Sequence, residues 1–133
     1  MGLPIINGKI TTPFGKAGKM WKSGKHTGVD FAVPEGTDIV AAVEGKVLAN
    51  NWGKAYGNQI IVEHGLHSKK VWMIYAHLSK VLVKAGDRIE KGQLIGKSGN
   101  TGNSSGPHLH FEVRNKPRWS DGEPVDPKDI LEA

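Results

Sequence analysis

Four of the six histidines lie in three short patterns whose residue types could bind a metal ion or move a proton. The first pattern is His-Thr-Gly-Val-Asp, from His26 to Asp30. Side chains of an extended chain alternate between faces, so these two residues point to the same side. The same alternation places His108 and His110 on one face of a second segment, and His77 ends an apolar strand. Three strands could therefore present four imidazoles and a carboxylate at one place.

The combination of these patterns favours a zinc site. A lone histidine at a strand end, such as His77, is more often a surface or core residue than a ligand, and a solvent-facing pair would also explain His-x-His. Two imidazoles and one carboxylate, however, form the donor set that suits tetrahedral zinc, with a fourth position left for water. The chain has no cysteine, so any metal must be held by His, Asp or Glu. Two histidines then remain without a ligand role.

The length and composition indicate one globular domain. A chain of 133 residues is long enough for one core and too short for two, so we expect a single domain over 1–133 with its core at about 24–130. The content of 38% hydrophobic and 23% charged residues argues against a disordered chain. No apolar run approaches the ~20 residues that cross a bilayer, so no membrane insertion is expected.

Glycine and proline divide the chain into short segments, 18 and 7 residues respectively, and this pattern predicts an all-β fold. We expect a twisted antiparallel sheet with little helix and a substrate groove across one face. The segments expected to be strands are rich in β-branched and aromatic residues: 39–48, 59–63, 71–76, 81–83, 93–95 and 109–113. Residues 1–25 are expected to form loops at the rim of the sheet, and 126–131 one final helical turn.

The net charge of +5 favours a polyanionic partner, which could be nucleic acid, acidic lipid or an anionic cell wall. Charge alone does not choose among them. The first residues lack the basic start and apolar stretch of a signal peptide. If the protein works outside the cytoplasm, we therefore expect another export route, release of the kind used by phage lysins, or a leader already removed.

The motifs His-x-x-x-Asp, Tyr-x-His-Leu and Gly-Pro-His-Leu-His-Phe-Glu, in that order, resemble those of the lysostaphin-like zinc metallopeptidases. Members of that family cleave the peptide bridges of peptidoglycan. The resemblance runs over residues 24–113, and the ending Pro-Val-Asp-Pro at 124–127 is also similar. It implies the lysostaphin-like fold for nearly the whole chain.

The resemblance also implies roles for the five residues. By this resemblance, the zinc ligands are His26, Asp30 and His110, which would hold one ion per chain. His77 and His108 would flank the water at the metal, as the two candidates for proton transfer and for stabilising the oxyanion. Family members that have lost such residues act as non-catalytic regulators, whereas this chain retains all five, so we expect an active enzyme.

The expected function is a zinc-dependent endopeptidase that hydrolyses peptide crosslinks of bacterial peptidoglycan, as endolysins do. It would act as a monomer on crossbridge peptides in the cell wall, outside the cytoplasm, and not on nucleic acid. The bond could be a glycine bridge or a D-alanyl link to diaminopimelate or lysine. Loops at 20–25, 50–56 and 118–122 are expected to set this choice, and the small residues of 100–106 to form a groove wall.

Two other classes of function compete with this one. Residues 86–96 resemble a hairpin of biotinyl and lipoyl carrier domains, but no lysine stands between the required neighbours at a hairpin tip. A non-catalytic cell-wall binding module could use the lysines of 16–25, although a solvated lysine-rich loop explains them as well. The segment from Glu63 to His67 carries the last two histidines. We interpret it as a solvated hairpin turn and not as a second metal site.

Overall fold

The computed structural model describes residue 4 and residues 29–48, 56–66, 69–101, 106–114 and 124–125. Within these ranges the backbone consists of strands and turns and contains no α-helix, so the predicted all-β class is confirmed. No helix found there is long and apolar enough to cross a membrane. The helical turn expected at 126–131 lies outside the described residues. So do the loops expected over 1–25, except Pro4, whose carbonyl accepts a hydrogen bond from the N–H of Val40.

The described residues form one antiparallel sheet. Its strands are β1 (Val29–Phe31), β2 (Asp38–Val40), β3 (Gly45–Leu48), β4 (Asn58–Leu66), β5 (Lys69–Val81), β6 (Arg88–Ile89), β7 (Leu94–Ser98), β8 (Leu109–Arg114) and β9 (Pro124–Val125). Their order is β1-β8-β5-β4-β3-β6, with β7 joining β2 to β5 and β9 paired with β8. The long strand β5 therefore contacts β4, β8 and β7 and forms the centre of the sheet.

Two predicted strands are wrong in their extent. The segment 81–83 is not a strand of its own, because Val81 is the last residue of β5 and residues 82 and 83 lie outside any strand. The apolar run at 39–48 is two strands, β2 and β3, separated by a bend at Ala42 and Val43. The bend stays buried because the N–H of Ala42 donates to Oη of Tyr75 at 3.0 Å. The side chains at the bend are buried and therefore apolar, like those of the strands on either side. Hydrophobicity alone could not reveal that the backbone turns there.

The two faces of β1, β5 and β8 have different environments. One face packs into the main core, where the rings of Tyr75 and Phe111 lie 5.1 Å apart. Residues one position away lie on the other face, as the alternation of a strand requires. There the ionisable groups of β1 and β8 lie beside a second, smaller apolar cluster that contains Ile74 and Ala76. Asp30 is paired in register with His110, and His110 with Ala76. The sheet thus separates an apolar core from a face that carries ionisable groups.

His64 corrects the expectation of a solvated turn. Strands β4 and β5 pair as far as Leu66 opposite Lys69, so His64 lies inside β4, opposite Val71. Its side chain is buried, and its Nδ1 lies 2.6 Å from the carbonyl oxygen of Glu44. This buried histidine therefore has a structural partner, the backbone between β2 and β3. His67 lies outside the described residues.

Candidate active site

Asp30 and His110 form the centre of the candidate site. They are direct partners on the rung between β1 and β8, and the carboxylate Oδ1 lies 2.9 Å from Nδ1 of the imidazole. The neighbours of Asp30, Val29 and Phe31, are buried in the main core. Their burial turns Asp30, between them, towards the opposite face. The apolar positions of two strands thereby bring a carboxylate and an imidazole together from distant parts of the chain.

His108 stands two residues before His110 and lies beside the same carboxylate. Its Nε2 is 3.8 Å from Oδ1 of Asp30. The backbone of His108 forms an isolated bridge with Gly99, just before β8 begins. The predicted alternation of the His-x-His motif is therefore seen in the structure, with both rings near Asp30.

His77 reaches this face through an unusual backbone conformation. It has φ of 63°, the left-handed region that a residue with a side chain rarely adopts. The next residue, Leu78, packs in the main core, and so does Tyr75, which lies two residues before His77. Strict alternation would have placed His77 with the core as well. Between Tyr75 and Leu78, however, β5 has one residue more than the facing part of β4, and the left-handed residue at this shift in register turns its side chain to the other face. Its ring centroid lies 4.8 Å from that of His108 and 6.1 Å from that of His110.

Both His77 and His108 are held by backbone carbonyls. Nδ1 of His77 lies 2.6 Å from the carbonyl oxygen of Thr101, and Nδ1 of His108 lies 2.7 Å from that of Gly106. A carbonyl oxygen can only accept, so Nδ1 carries the proton in each ring. In the neutral ring Nε2 is then the acceptor. The ends of the loop that was expected to form a groove wall thus prepare both imidazoles to accept a proton at Nε2.

Thr101 is itself fixed by close contacts. Its Oγ1 accepts from the N–H of Asn58 at 3.1 Å and donates to the carbonyl of Leu78 at 2.8 Å. Gly57, with φ of 65°, approaches so closely that a Cβ atom there would lie 2.5 Å from the carbonyl carbon of Thr101. The position of the His77 ring therefore depends on Gly57, which has no side chain to take part in a reaction.

The electrostatic environment separates the histidines. Burial lowers the pKa of His77 to about 4, partly opposed by the Thr101 carbonyl, and the neighbouring His108 and His110 add to the lowering. Burial acts to lower the pKa of His110 too, but hydrogen bonds to Asp30 and Glu112, with the charges of these carboxylates, outweigh it and raise the pKa to about 9. At neutral pH His77 is uncharged. A metal ion at His110 would have to displace a proton.

Glu112 is a site residue that the sequence reasoning missed. Its Oε1 lies 3.0 Å from Nε2 of His110 and accepts from Oη of Tyr56 at 2.9 Å. Its Oε2 accepts from Nε of Arg114. The signal was available, since Glu112 is two residues beyond His110 and alternation places it on the same face. Tyr56, the last residue of the loop expected at 50–56, donates to this carboxylate.

The structure thus brings together four of the five predicted site residues: Asp30, His77, His108 and His110. The fifth, His26, lies outside the described residues. Among the residues that are described, no three His, Asp or Glu side chains form a metal-binding group. Two of the three predicted ligands, Asp30 and His110, nevertheless lie 2.9 Å apart, and an aspartate oxygen beside an imidazole nitrogen suits zinc. The roles of these residues remain predictions.

The fold is similar to that of a peptidase catalytic domain. The catalytic domain of the antimicrobial peptidase lysostaphin from Staphylococcus simulans matches with a TM-score of 0.81 at 35% identity, over 96% of this chain and 94% of that one. The model of peptidase family M23 matches residues 24–127, and the chain belongs to that family. The resemblance drawn from the motifs is therefore confirmed.

Two relatives in sequence are named as cell-wall enzymes. The chain is 44% identical to the peptidoglycan DD-endopeptidase ShyA of Vibrio cholerae over 95 residues, which are 69% of this chain and 21% of ShyA. It is 43% identical to the glycyl-glycine endopeptidase ALE-1 of Staphylococcus capitis over 113 residues, 83% of this chain and 30% of ALE-1. The chain thus spans less than a third of the length of either relative.

Proposed function

We propose that this protein is a zinc-dependent endopeptidase that hydrolyses peptide crosslinks of bacterial peptidoglycan. The observation that carries the proposal is the convergence of Asp30 and three imidazoles on one face of the sheet. Membership of family M23 and the names of the two relatives support the reaction and the substrate class. A carrier domain or a passive binding module would have no use for this cluster.

The metal would be held by Asp30 and His110, with His26 as the third ligand. Zinc bound there would supply a Lewis acid for the scissile carbonyl and acidify a water molecule. The side chains of Asp30 and His110 come from adjacent strands with a defined register, so two ligands need little rearrangement to bind. A donor set of two neutral imidazoles and one anionic carboxylate suits zinc, whereas calcium and magnesium prefer sites rich in oxygen.

His77 and His108 would move the protons of the reaction. Each ring keeps its proton on Nδ1 through a backbone carbonyl, so Nε2 can accept a proton from the attacking water. The imidazolium formed in this way can stabilise the negative charge that develops on the substrate oxygen and then protonate the leaving amine. Both rings have the same tautomer, so both are equipped for the base and oxyanion roles.

The substrate and location follow from the same proposal. Crosslinks of peptidoglycan lie outside the cytoplasm, so the protein would act in the extracellular space or the periplasm. It would do so as a monomer. Its net charge of +5 would favour binding to an anionic wall. The names of ShyA and ALE-1 point to two bond classes, a D-alanyl crosslink and a glycine bridge, and both belong in the test.

The test is digestion of purified sacculi with D-alanyl-diaminopimelate crosslinks and of sacculi with glycine bridges, followed by mass analysis of the released peptides. We expect release from one of them, loss of release with a chelator, and recovery when zinc is added back. Asp30→Asn should abolish zinc binding and release. Asp38→Asn is the control, because Asp38 is an exposed carboxylate paired with Lys97 away from the cluster. No release from either wall, or release that ignores the chelator, would refute the proposal.

A further inference from the structure

Glu112 is a carboxylate with no access to solvent, and its partners include Tyr56, His110 and Arg114. Its exposed fraction is 0%, and that of Arg114 is 3%. One oxygen accepts from Nε of Arg114, and the other meets both Oη of Tyr56 and Nε2 of His110. A buried carboxylate is costly unless it is paired and hydrogen-bonded, and these partners supply both conditions.

The arrangement does more than neutralise a buried charge. Arg114 satisfies one oxygen of Glu112, while the other is directed at the candidate ligand His110. That ring therefore lies between two carboxylates, with Nδ1 2.9 Å from Asp30 and Nε2 3.0 Å from Glu112. The Asp30 side is shared with His108, whereas the Glu112 side is enclosed by the sheet. The two nitrogens of His110 thus have different surroundings.

We propose that Glu112 is a positioning residue for the metal centre: it accepts the Nε2 proton of His110 and so keeps Nδ1 as the nitrogen that faces Asp30 and the metal ion. A histidine that binds a metal through one nitrogen commonly donates its other N–H to a carboxylate, which fixes the tautomer and makes the ring a stronger ligand. Tyr56 and Arg114 keep the Glu112 carboxylate in place. This inference rests on the metal centre of the proposed function.

The first measurement requires no substitution. In the zinc-loaded protein labelled with ¹⁵N-histidine, NMR of the ring nitrogens should show the His110 proton on Nε2 and metal coordination at Nδ1. The second measurement is zinc affinity by competition with a chelating dye, for wild type, Glu112→Gln and Tyr56→Phe. We expect about 10- to 100-fold weaker binding for Glu112→Gln and a smaller loss for Tyr56→Phe.

Glu63→Gln is the matched control. Glu63 is a half-buried carboxylate of β4 that accepts from Nε1 of Trp72 at 3.1 Å and pairs with Lys70, with no contact to the histidines in these bonds. It should bind zinc like wild type. Circular dichroism would establish that each variant is folded. If Glu112→Gln does not fold, the ring tautomer of wild type and the affinity of Tyr56→Phe decide the question.

The outcomes separate this inference from the proposed function. A wild-type protein that releases wall peptides with zinc, but carries the His110 proton on Nδ1, would refute the role of Glu112 and leave the peptidase intact. Wild-type zinc affinity in a folded Glu112→Gln variant would do the same. A wild-type protein that binds no zinc would overturn the metal centre, and this inference with it.

Discussion

Nδ1 of His77 lies 2.6 Å from the carbonyl oxygen of Thr101, which is 24 residues further along the chain. This bond holds the proton of the ring on Nδ1 and directs Nε2 away from the carbonyl. Thr101 is held in turn by Asn58, Leu78 and the close approach of Gly57. The imidazole proposed to transfer protons is therefore positioned by backbone groups of three separate segments.

Gly57→Ala should disturb this chain of contacts. The added Cβ would lie 2.5 Å from the backbone of Thr101, and the left-handed φ of 65° disfavours alanine as well. We expect the free energy of unfolding to fall by about 1 to 3 kcal/mol and turnover to fall more than about tenfold, with zinc retained. Gly65→Ala is the control, since a Cβ there meets nothing within 4 Å. Equal behaviour of the two variants in urea unfolding and wall digestion would contradict the account.

The backbone of His77 predicts an unusual order of stability. At φ of 63° glycine is favoured over alanine, so His77→Gly should be about 1 kcal/mol more stable than His77→Ala. Lys80, exposed on the same strand, supplies the control pair. There the glycine variant should be less stable than the alanine variant by about 0.5 to 1 kcal/mol. Urea unfolding of all four proteins measures both differences, and the same order at both positions would argue against a strained His77.

Removal of either histidine proposed to transfer protons should slow the reaction without removing the metal. His77→Ala and His108→Ala are each expected to lower turnover roughly 100- to 10,000-fold. Zinc content should stay near one ion per chain, because neither ring is assigned as a ligand. Turnover on a crosslinked wall peptide and metal analysis of the same samples provide the test. Loss of zinc from either variant would show that its histidine is a ligand.

Tyr75 should make the protein sensitive to alkali. Burial raises the pKa of Tyr75 far above its ordinary value of 10.0, and the hydrogen bond from the N–H of Ala42 opposes this rise. The contribution of Tyr75 to the free energy of unfolding is fully present below pH 10. It is lost as the pH rises further, because the tyrosine then ionises readily in the unfolded chain and not in the folded one. Above that pH the free energy of unfolding should fall by up to about 1.4 kcal/mol per pH unit from this group.

Tyr75→Phe is the variant that isolates this effect. It should cost about 1 to 3 kcal/mol at pH 7, because the buried N–H of Ala42 loses its acceptor. The difference between wild type and variant should then shrink between about pH 10 and 11. Urea unfolding at several pH values measures it. A constant difference over that range would mean that Tyr75 does not ionise on unfolding.

Local rules explain why much of the fold and part of the site could be predicted. Short β-branched segments between glycine-rich turns indicate strands, and alternation alone places His108 and His110 on one face with Leu109 and Phe111 on the other. The same rule would have found Glu112. It failed at 39–48, where a buried bend preserves the apolar pattern.

Composition and a period of two residues are sufficient to predict the all-β class, the types of groups available for chemistry and which of them share a strand face. The tertiary fold is needed to bring Asp30 to His110 across 80 residues, since register is set by the packing of two distant strands. It also decided the aim of His77, which alternation would have turned into the core. A left-handed backbone is sustained there by long-range contacts with Thr101, and no local pattern encodes such contacts.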